Sequence, residues 1–334
     1  MDAHTRTLTL DGGEADAAAI DEAAQILRSG GLVAFATETV YGLGADATSP
    51  EAVAKIFVAK GRPSYNPLIV HAADIAMARS CVASWPEAAN DLAQVFWPGP
   101  LTFVLPRSEI IHDLVTAGRG TVGVRIPALR VARSLISRVG RPLAAPSANR
   151  SNRISPTTAE HVRKDLDGRI DLILDSGPAR VGLESTVLDL SGELPRILRP
   201  GPVTVREIRR VLGGIEILEP SSLDNPDRPS SPGQLPVHYA PRTKAIRVDG
   251  ERLAEMEFPG PSALLSFERF TPPASPVFQR QANFRTPEEA ASGLYGLLHE
   301  WDEEGFHQIV VVLPPDRPEW MAVRDRLVRA TVVS

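Results

Sequence analysis

The sequence predicts an α/β protein of two domains joined by a proline-rich linker. Segments with helical and strand patterns alternate along most of the chain. Between residues 219 and 241 the chain carries six prolines and loses all apolar periodicity. At 334 residues it is also long enough for two domains of ordinary size. We therefore place a larger domain at residues 1–218, the linker at 219–243 and a smaller α/β domain at 244–334.

The first domain opens with a predicted amphipathic helix at residues 15–29, where apolar side chains recur at helical spacing before a Gly-Gly stop. A short apolar strand follows at 32–36, and residues 37–44 are predicted to form a polar loop that contains glycine. Ser49 has the residue type of an N-cap, and the proline after it completes the start signal. We therefore predict a helix from this cap through residue 59, closed by Gly61.

Helix and strand patterns continue to alternate through the first domain and resume after the linker. Thr157, with Glu160 three residues later, has the spacing of a capping box and predicts a helix through residue 166. The other predicted helices lie at 86–96, 127–139, 287–302 and 319–330. The other predicted strands lie at 101–105, 122–126, 143–145, 170–174, 185–189, 244–248, 263–266 and 308–313. Such alternation is typical of helices packed on a sheet.

Composition excludes several classes of protein. Apolar residues make up 43 % of the chain and charged residues 23 %, and the mean hydropathy is −0.08, as in an ordinary globular protein. No apolar run approaches the ~18 residues of a membrane span, and the first ten residues lack the pattern of a secretory leader, so we expect a cytoplasmic protein without membrane contact. The single cysteine, Cys81, excludes an intramolecular disulfide and a cysteine-ligated zinc site.

Charge is distributed unevenly along this weakly acidic chain. A net charge of −5 argues against a protein that coats nucleic acid through general electrostatics. Residues 114–159 nevertheless contain no Asp or Glu but eight arginines, namely Arg119, Arg125, Arg130, Arg133, Arg138, Arg141, Arg150 and Arg153. We expect an anion to meet part of this stretch. Arg130, Arg133 and Arg138 are assigned to a solvated helix face, whereas Arg125, at the end of a predicted strand, is a site candidate.

The usual nucleotide-binding and hydrolase motifs are absent, since the sequence has no P-loop, His-Glu-x-x-His or Gly-x-Ser-x-Gly. Polar residues instead follow predicted elements, where open α/β sheets bind ligands. Lys60 alone is better explained as a cation at a helix C-terminus, but Arg62 lies beyond the glycine stop and offers the planar fork that binds phosphate. The turns around Ser147 and Ser155 can bind phosphate oxygens or simply turn the chain. The proline-rich linker, judged by composition, is typical of a spacer.

Eight short segments, taken together and in order, resemble the two-domain threonylcarbamoyl-adenylate synthases, whose first domain has the YrdC-like fold. They are TETVYGLG (37–44), KGRP (60–63) with NPL (66–68), WPGPLT (97–102), VRIP (124–127), PSAN (146–149), SPT (155–157), LEST (183–186) and LRPG (198–201). The segments cover about residues 15–210. The linker segments SPG (231–233) and HYAP (238–241) extend the likeness to two-domain members, while the second domain resembles the family only weakly.

The resemblance implies a fold and a reaction. The fold would be a YrdC-like twisted open sheet with a concave basic face, followed by a smaller Rossmann-like α/β domain, with the linker folded over the active site. The enzyme would be a nucleotidyltransferase that joins L-threonine, bicarbonate or CO2, and ATP into threonylcarbamoyl-AMP and diphosphate. Mg²⁺ would arrive on ATP, with no metal ligand from the protein. The product would pass to a tRNA threonylcarbamoyl-transferase complex that forms N6-threonylcarbamoyladenosine, and direct binding of tRNA is not required.

The resemblance also implies roles for individual residues. ATP or its adenylate would contact Arg62, Asn66, Thr121, Ser147, Ser155, Arg199 and Tyr239. Threonine would contact Thr39, His71, Arg125 and Ser185. The catalytic set would be Lys60, Arg62, Ser147 and Asn149. The chain departs from the family pattern at Ala145, where many members have a hydroxyl, at Asn152 for glycine, at Ile154 for proline, and at Gln234-Leu235-Pro236-Val237, where basic residues are common.

Two other functions are compatible with the same basic face. A noncatalytic RNA-binding or regulatory relative would bind RNA in a salt-dependent way and release no pyrophosphate. A carbamoyl-transfer or hydrolase relative would turn over another acyl-adenylate without threonine. The acidic overall charge and the complete linker motif favour the synthase over both alternatives.

Overall fold

The computed structural model describes residues 4–13, 15–218, 232, 238–274 and 276–333. Most of the predicted linker, including Ser231, Gly233 and the Gln234–Val237 stretch, lies outside the described residues. The predicted domain bounds therefore stay a prediction. Within the described part of the chain, no helix is both long enough and apolar enough to cross a membrane.

The first domain carries ten strands and eight helices within residues 4–13 and 15–218. Its strands are β1 (Arg6–Thr9), β2 (Val33–Ala36), β3 (Tyr41–Asp46), β4 (Ile69–His71), β5 (Leu101–Pro106), β6 (Thr121–Arg125), β7 (Leu143–Ala144), β8 (Leu172–Asp175), β9 (Thr186–Asp189) and β10 (Arg196–Arg199). Its helices are α1 (Ala15–Arg28), α2 (Pro50–Lys60), α3 (Ile75–Ser80), α4 (Glu87–Phe96), α5 (Asp113–Thr116), α6 (Arg130–Val139), α7 (Ala159–Leu166) and α8 (Val205–Val211).

The ten strands form one mixed sheet in the order β1-β8-β2-β3-β7-β4-β6-β5-β9-β10. Strands β1, β8 and β2 run parallel, whereas β2, β3, β7 and β4 pair antiparallel in turn. On the other side of β4 the pairing alternates, with β4 parallel to β6, β6 antiparallel to β5, β5 parallel to β9, and β9 antiparallel to β10. The ends of β4 and β6 and the start of β9 therefore lie along the same edge of the sheet.

Helices cover both faces of this sheet because successive strand residues point to opposite sides. Val33 and Phe35 of β2 pack with α1 and α6 in one core cluster. Ala34 and Ala36 belong to a larger cluster that also takes in α2, α4, α7 and α8. Both clusters are built from residues no later than Ile217. The first domain therefore has a core of its own.

The second domain is smaller and its sheet is entirely parallel among the described residues. Its strands are β11 (Lys244–Val248), β12 (Ser262–Phe267), β13 (Arg280–Phe284), β14 (Gln308–Val312) and β15 (Val332–Val333), in the order β13-β12-β14-β11-β15. Its helices are α9 (Pro287–Glu303) and α10 (Met321–Ala330), the latter preceded by one 3-10 turn. The two-domain α/β prediction is confirmed.

Two local predictions are wrong. The polar loop expected at 37–44 ends early, because β3 begins at Tyr41. Its glycines serve packing, since a Cβ on Gly44 would lie 2.7 Å from the Phe35 ring. The cap of α7 is Thr158, whose hydroxyl accepts a hydrogen bond from the His161 amide at 3.3 Å, and Thr157 lies one residue too early. The predicted cap and stop of α2, Ser49 and Gly61, are confirmed.

The sequence patterns also missed short elements and placed some ends inexactly. Helix α6 begins at Arg130, three residues after its predicted start. The strands β1, β4 and β10, of three or four residues each, were not predicted, because so few positions carry no readable period. One of them, β4, ends at the site candidate His71.

The domains meet through an apolar cluster that combines Val40, Ile154 and Leu183 with side chains of α9 and α10. Beside this cluster the rings of His161 on α7 and His299 on α9 stack with centroids 3.8 Å apart. Burial, the neighbouring His299 and Lys164 lower the pKa of His161 to about 3. The pKa of His299 is also lowered, chiefly by burial, with Asp165 and Asp302 acting in the opposite direction. Both rings are therefore neutral at physiological pH.

This histidine pair predicts a loss of stability in mild acid. The pKa of His161 in the folded protein lies below its unfolded value of 6.5. Its contribution to the free energy of unfolding is therefore complete above pH 6.5 and falls as the pH drops toward 3. We expect His161→Phe, which keeps a stacked ring, to lose about 1 kcal/mol less stability than the wild type between pH 7 and pH 5, after allowance for the ring's partial exposure. Urea unfolding at the two pH values measures this. Parallel losses in both proteins would contradict it.

Candidate active site

A pocket opens where β2, β4 and β6 end and β9 begins, and the linker closes one side of it. Eight of the residues proposed from the sequence line this pocket: Thr39, Arg62, His71, Arg125, Ser147, Ser185, Arg199 and Tyr239. They come from eight separate places in the chain, so the fold brings them together. Thr37, Glu184, Pro232 and His238 also line the pocket.

Three buried arginines dominate the electrostatics of the pocket. Arg62 and Arg199 are each less than one tenth exposed, and Arg125 is 2 % exposed. Burial lowers the pKa of Arg62 to about 10, with Tyr239 and Arg199 acting in opposite directions, so the guanidinium is still charged at neutral pH. The lining holds one carboxylate, Glu184, among its described residues. The pocket is thus suited to an anionic ligand.

Each arginine is held in place by backbone or side-chain acceptors. Arg62 donates from Nε to the Asn66 carbonyl at 3.2 Å and from Nη2 to the Pro67 carbonyl at 2.8 Å. Arg199 donates to the Ser185 carbonyl from Nε at 3.1 Å and from Nη2 at 2.9 Å. Arg199 also donates from Nη1 to the Pro232 carbonyl at 3.1 Å and from Nη2 to the Ser185 hydroxyl at 3.2 Å. Of the five N–H groups on each side chain, these bonds leave three on Arg62 and one on Arg199 for a ligand.

A smaller polar set surrounds Arg125. Its guanidinium lies 3.3 Å from a Glu38 carboxylate oxygen and donates to the Thr39 hydroxyl at 3.2 Å. His71, at the end of β4, is 5 % exposed, and its Nδ1 has no hydrogen-bond partner among the described residues. Burial and the charge of Arg125 hold the pKa of His71 well below its usual range, so this ring is neutral. A cation beside a neutral ring and hydroxyls suits a zwitterionic amino acid.

The loop at 146–149 is fixed from below by Lys60, the last residue of α2. Its Nζ donates to the Ser147 carbonyl at 2.6 Å, to the Asn149 carbonyl and to Asn149 Oδ1 at 3.4 Å. Burial and the charge of Arg62 hold the pKa of Lys60 well below its usual range, while Asp165 opposes them. Lys60 does not line the pocket, so it acts on the site through the loop that presents Ser147.

Comparison with known proteins identifies the family. A family model described as "Telomere recombination" matches residues 25–201. A second, described as "Threonylcarbamoyl-AMP synthase, C-terminal domain", matches residues 203–332. The chain is also 42 % identical over 320 residues to the threonylcarbamoyl-AMP synthase of Bacillus subtilis, which covers 93 % of this chain and 92 % of that protein.

The chain belongs to the threonylcarbamoyl-AMP synthase family. It is 49 % identical over 230 residues to the synthase of Pyrococcus abyssi, covering 69 % of this chain and 68 % of that protein. The crystal structure of Pyrococcus abyssi Sua5 complexed with L-threonine matches with a TM-score of 0.86 and 38 % identity, over 98 % of this chain and 97 % of that one. The enzyme is a threonylcarbamoyl-AMP synthase, and the noncatalytic alternative loses its support.

Five proposed residues of the synthase lie outside the pocket lining: Lys60, Asn66, Thr121, Asn149 and Ser155. Asn149 donates from Nδ2 to the Arg150 and Arg153 carbonyls at 3.0 and 2.8 Å. The Ser155 hydroxyl donates to Glu184 at 2.5 Å. These contacts give Asn149 and Ser155, like Lys60, supporting positions behind the wall.

The other two outlying residues face different surroundings. Asn66 is fully buried, and neither its Nδ2 nor its Oδ1 has a hydrogen-bond partner among the described residues. A buried amide with four unused hydrogen-bonding positions is costly unless a ligand or water meets it. Thr121 lines a small second cavity together with Arg119, and Pro232 borders both this cavity and the main pocket.

The described part of the linker touches the synthase pocket at two places. The Pro232 carbonyl accepts a hydrogen bond from Arg199 Nη1 at 3.1 Å. Tyr239 is 1 % exposed, and its hydroxyl has no partner among the described residues. Its backbone has a φ of +62°. The composition of the linker suggested a spacer, but these contacts place its described residues in the wall of the site.

Three of the family departures lie within the described residues. Asn152 adopts a φ of +66°, a conformation that glycine adopts freely and asparagine tolerates. Its carbonyl also accepts a hydrogen bond from the Ala240 amide at 3.0 Å, which fastens the end of the linker. Ala145 lines the pocket with its methyl group. Ile154 is 2 % exposed and packs in the cluster between the domains.

Sequence reasoning overlooked Glu184 as a site residue, although it quoted the segment that contains it. The Glu184 carboxylate lines the pocket and contacts Ser155, Tyr295 and Arg326. No local signal could have shown this, because its charge partner is 142 residues away. Within the arginine-rich stretch, the site candidate Arg125 lines the pocket, and Arg138, assigned to a solvated helix face, is half exposed on α6 and pairs with Asp21. Arg141 pairs with Asp46.

No group of three or more His, Cys, Asp or Glu side chains is placed to hold a metal ion within the described ranges. The carboxylates that border the pocket are engaged by arginines, Glu38 by Arg125 and Glu184 by Arg326. The donor set of the synthase site is therefore cationic, which suits the phosphate oxygens of a nucleotide better than a bare divalent cation.

Proposed function

We propose that this pocket joins L-threonine, bicarbonate or CO2, and ATP into threonylcarbamoyl-AMP and pyrophosphate. The proposal rests on two sets of side chains that face the same pocket. The first set is the pair of buried arginines Arg62 and Arg199, and the second is Arg125 with the neutral ring of His71. Two cations can hold the phosphates while the second set holds the amino acid. The family membership of the whole chain supports the same reaction.

The amino acid would bind between β2, β4 and β9. Its carboxylate would pair with Arg125, which already touches the Thr39 hydroxyl. Its side-chain hydroxyl and amine would meet Ser185 and the unpartnered nitrogen of His71. Because His71 is neutral, its free ring nitrogen can accept a hydrogen bond from the amine, and the ring does not repel it.

The reaction needs little general base catalysis. Deprotonated threonine amine adds to CO2, and the resulting carbamate oxygen attacks the α-phosphorus of ATP as the bond to the β-phosphate bridging oxygen breaks. The amine releases one proton to solvent as the carbamate forms, and pyrophosphate is the leaving group of the second step. The site must therefore position the reactants and stabilise charge on phosphate oxygens, for which Arg62 and Arg199 are placed. Mg²⁺ would arrive as part of the MgATP substrate.

Lys60, Asn149 and Ser155 would support this arrangement, and Asn66, Thr121 and Tyr239 would contact the nucleotide. The side-chain amide of Asn66 and the hydroxyl of Tyr239 have no hydrogen-bond partner among the described residues, and a nucleotide can supply one. We further propose that the product leaves for a tRNA threonylcarbamoyl-transferase complex, since a mixed carbamoyl-phosphoryl anhydride is an activated group donor. Direct binding of tRNA by this chain is not required.

Mass spectrometry tests the proposed reaction. Incubation with MgATP, L-threonine and ¹³C-bicarbonate should give threonylcarbamoyl-AMP that carries one heavy carbon. A labelled product that lacks threonine would favour the acyl-adenylate alternative, and the absence of any labelled nucleotide would contradict the proposal. Replacing threonine with valine, which lacks the hydroxyl, is the matched control and should reduce the yield.

Removing the linker and the second domain should weaken nucleotide binding without unfolding the first domain. A chain ending at Leu218 keeps both large core clusters of the first domain but loses Pro232 and Tyr239 from the pocket wall. We expect the dissociation constant for ATP to rise about tenfold, the equivalent of about 1.4 kcal/mol. Calorimetric titration measures it, and circular dichroism checks folding. Unchanged affinity would mean that the linker is only a spacer.

A further inference from the structure

One of the arginines of the second domain, on α10, contacts the wall of the pocket from the side away from the cavity. Arg326, on α10, is 0 % exposed. Its Nε donates to Glu184 Oε2 at 2.8 Å, and its Nη1 donates to the Pro200 carbonyl at 2.9 Å. Its Cζ also lies 5.3 Å from the centre of the Tyr239 ring. One guanidinium thus touches three separate segments of the wall.

Each of these segments carries a residue that we place in the proposed reaction. Glu184 immediately precedes Ser185, and Pro200 immediately follows Arg199. The carbonyl of Ser185 in turn accepts two hydrogen bonds from the Arg199 guanidinium. Arg326 therefore contacts the neighbours of both Ser185 and Arg199, and it also contacts the ring of the linker residue Tyr239.

The carboxylate of Glu184 is the centre of this arrangement. It accepts hydrogen bonds from the Ser155 hydroxyl at 2.5 Å and from the Tyr295 hydroxyl at 3.0 Å, besides the bond from Arg326. Burial favours its neutral form, but the charges of Arg326 and Arg199 and the hydrogen bonds outweigh burial and lower the pKa of Glu184 to about 2. The carboxylate is therefore charged and fully engaged across the domain boundary.

Close backbone contacts leave these segments little freedom to find another arrangement. A Cβ on Gly182 would lie 2.3 Å from the Ala291 carbonyl oxygen of α9, and one on Gly201 would lie 2.4 Å from the Thr186 amide nitrogen. Each of these two positions accepts only glycine. The close packing therefore fixes how the segments around Gly182 and Gly201 lie against their neighbours. The guanidinium of Arg326 hydrogen-bonds to both wall segments, at Glu184 and at the Pro200 carbonyl.

We propose that Arg326 is a positioning residue through which the second domain holds Ser185, Arg199 and Tyr239 in their reactive arrangement. The inference rests on the proposed function of the pocket. It assigns the second domain a part in the reaction, although no described residue of that domain lines the main pocket.

A purely stabilising role makes a different prediction. A buried ion pair contributes little net stability compared with apolar residues of similar size, but removal of one partner leaves a costly unpaired charge. If Arg326 only balances the charge of Glu184, lysine should replace it. If Arg326 positions the wall, lysine should fail, because a single ammonium cannot reproduce the planar fork that spans Glu184 and Pro200.

The test compares Arg326→Lys with the wild-type full-length protein in threonine-dependent pyrophosphate release. We expect kcat to fall about 10²-fold, the order of loss that a small misplacement of reacting groups causes, at a temperature where circular dichroism shows the variant folded. The control Arg324→Met removes another arginine from the same helix, one whose contacts lie with Pro314 and Asp316 in the second domain, and should keep the wild-type kcat.

A second variant keeps the test decisive if Arg326→Lys does not fold. Arg326→Met combined with Glu184→Gln removes both buried charges, and Glu184→Gln alone serves as its reference. We expect the double variant to have a kcat about tenfold or more below that of Glu184→Gln. Wild-type kcat in folded Arg326→Lys, or equal kcat in the double variant and its reference, would overturn the inference. Absence of threonine-dependent pyrophosphate release by the wild-type protein would instead refute the proposed function.

Discussion

Replacing Arg62 or Arg199 with alanine should lower pyrophosphate release at least about 10³-fold while the protein stays folded. Loss of a single preorganised donor from a charge-stabilising site costs roughly 10²–10³ in kcat, and loss of an arginine at a transferring phosphoryl group roughly 10³–10⁵. Both side chains face the pocket, and Arg62 keeps its charge at neutral pH because its pKa, though lowered, is about 10. The effect should appear in kcat rather than in KM for threonine.

Arg133→Ala is the matched control for these variants. Arg133 is another arginine that donates to backbone carbonyls, those of Pro127 and Ala128, but it lies on α6 outside the pocket lining. It should retain near-normal turnover. Arg62→Lys should recover only part of the activity, because an ammonium offers a point charge without the fork. Near-normal turnover in Arg62→Ala or Arg199→Ala would remove that residue from the proposed mechanism.

Lys60→Met should lower both stability and activity, although Lys60 does not line the pocket. The apolar side chain fills the same space but leaves the carbonyls of Ser147 and Asn149 without their donor. Buried acceptors that lose their partners cost about 1–3 kcal/mol each. We expect the free energy of unfolding to fall by about 3 kcal/mol, and kcat/KM for ATP to fall about 10²-fold because the loop that presents Ser147 shifts.

Lys55 provides the control on the same helix. Its Nζ donates to the Gly30 carbonyl at 2.6 Å, but this contact is exposed to solvent. Lys55→Met should change stability by less than about 0.5 kcal/mol and leave turnover intact. If Lys60→Met kept the wild-type kcat/KM with only a stability loss, the loop would not depend on Lys60, and if it lost activity without losing stability, Lys60 would act directly on the substrates.

The sequence predicted correctly those features that are decided by residues close together in the chain. The cap at Ser49 and the stop at Gly61 were predicted from residue type, because capping is decided by a few neighbouring groups. The strand β3 was missed because its glycines accommodate the ring of Phe35 on a neighbouring strand. That packing depends on tertiary contact, and no periodicity in the strand itself records it.

The site shows the same division. Arg62 was proposed as a phosphate ligand from its place after the helix stop, and the structure places its side chain in the pocket lining. Local reasoning could not separate the residues that face the pocket from those behind its wall, such as Ser155, because both kinds lie in the same polar turns. The pairing of Glu184 with Arg326 joins two domains and leaves no trace in either local segment.

Omitting each substrate in turn and measuring pyrophosphate release tests whether the carbamate of threonine is the group that attacks ATP. We expect release from MgATP to require both threonine and bicarbonate, because the attacking group is the carbamate formed from the two. Release in the presence of ATP and bicarbonate alone would contradict it, since the pocket would then activate bicarbonate or another acyl group without the amino acid. Absence of release with all three present, despite ATP binding, would contradict it as well.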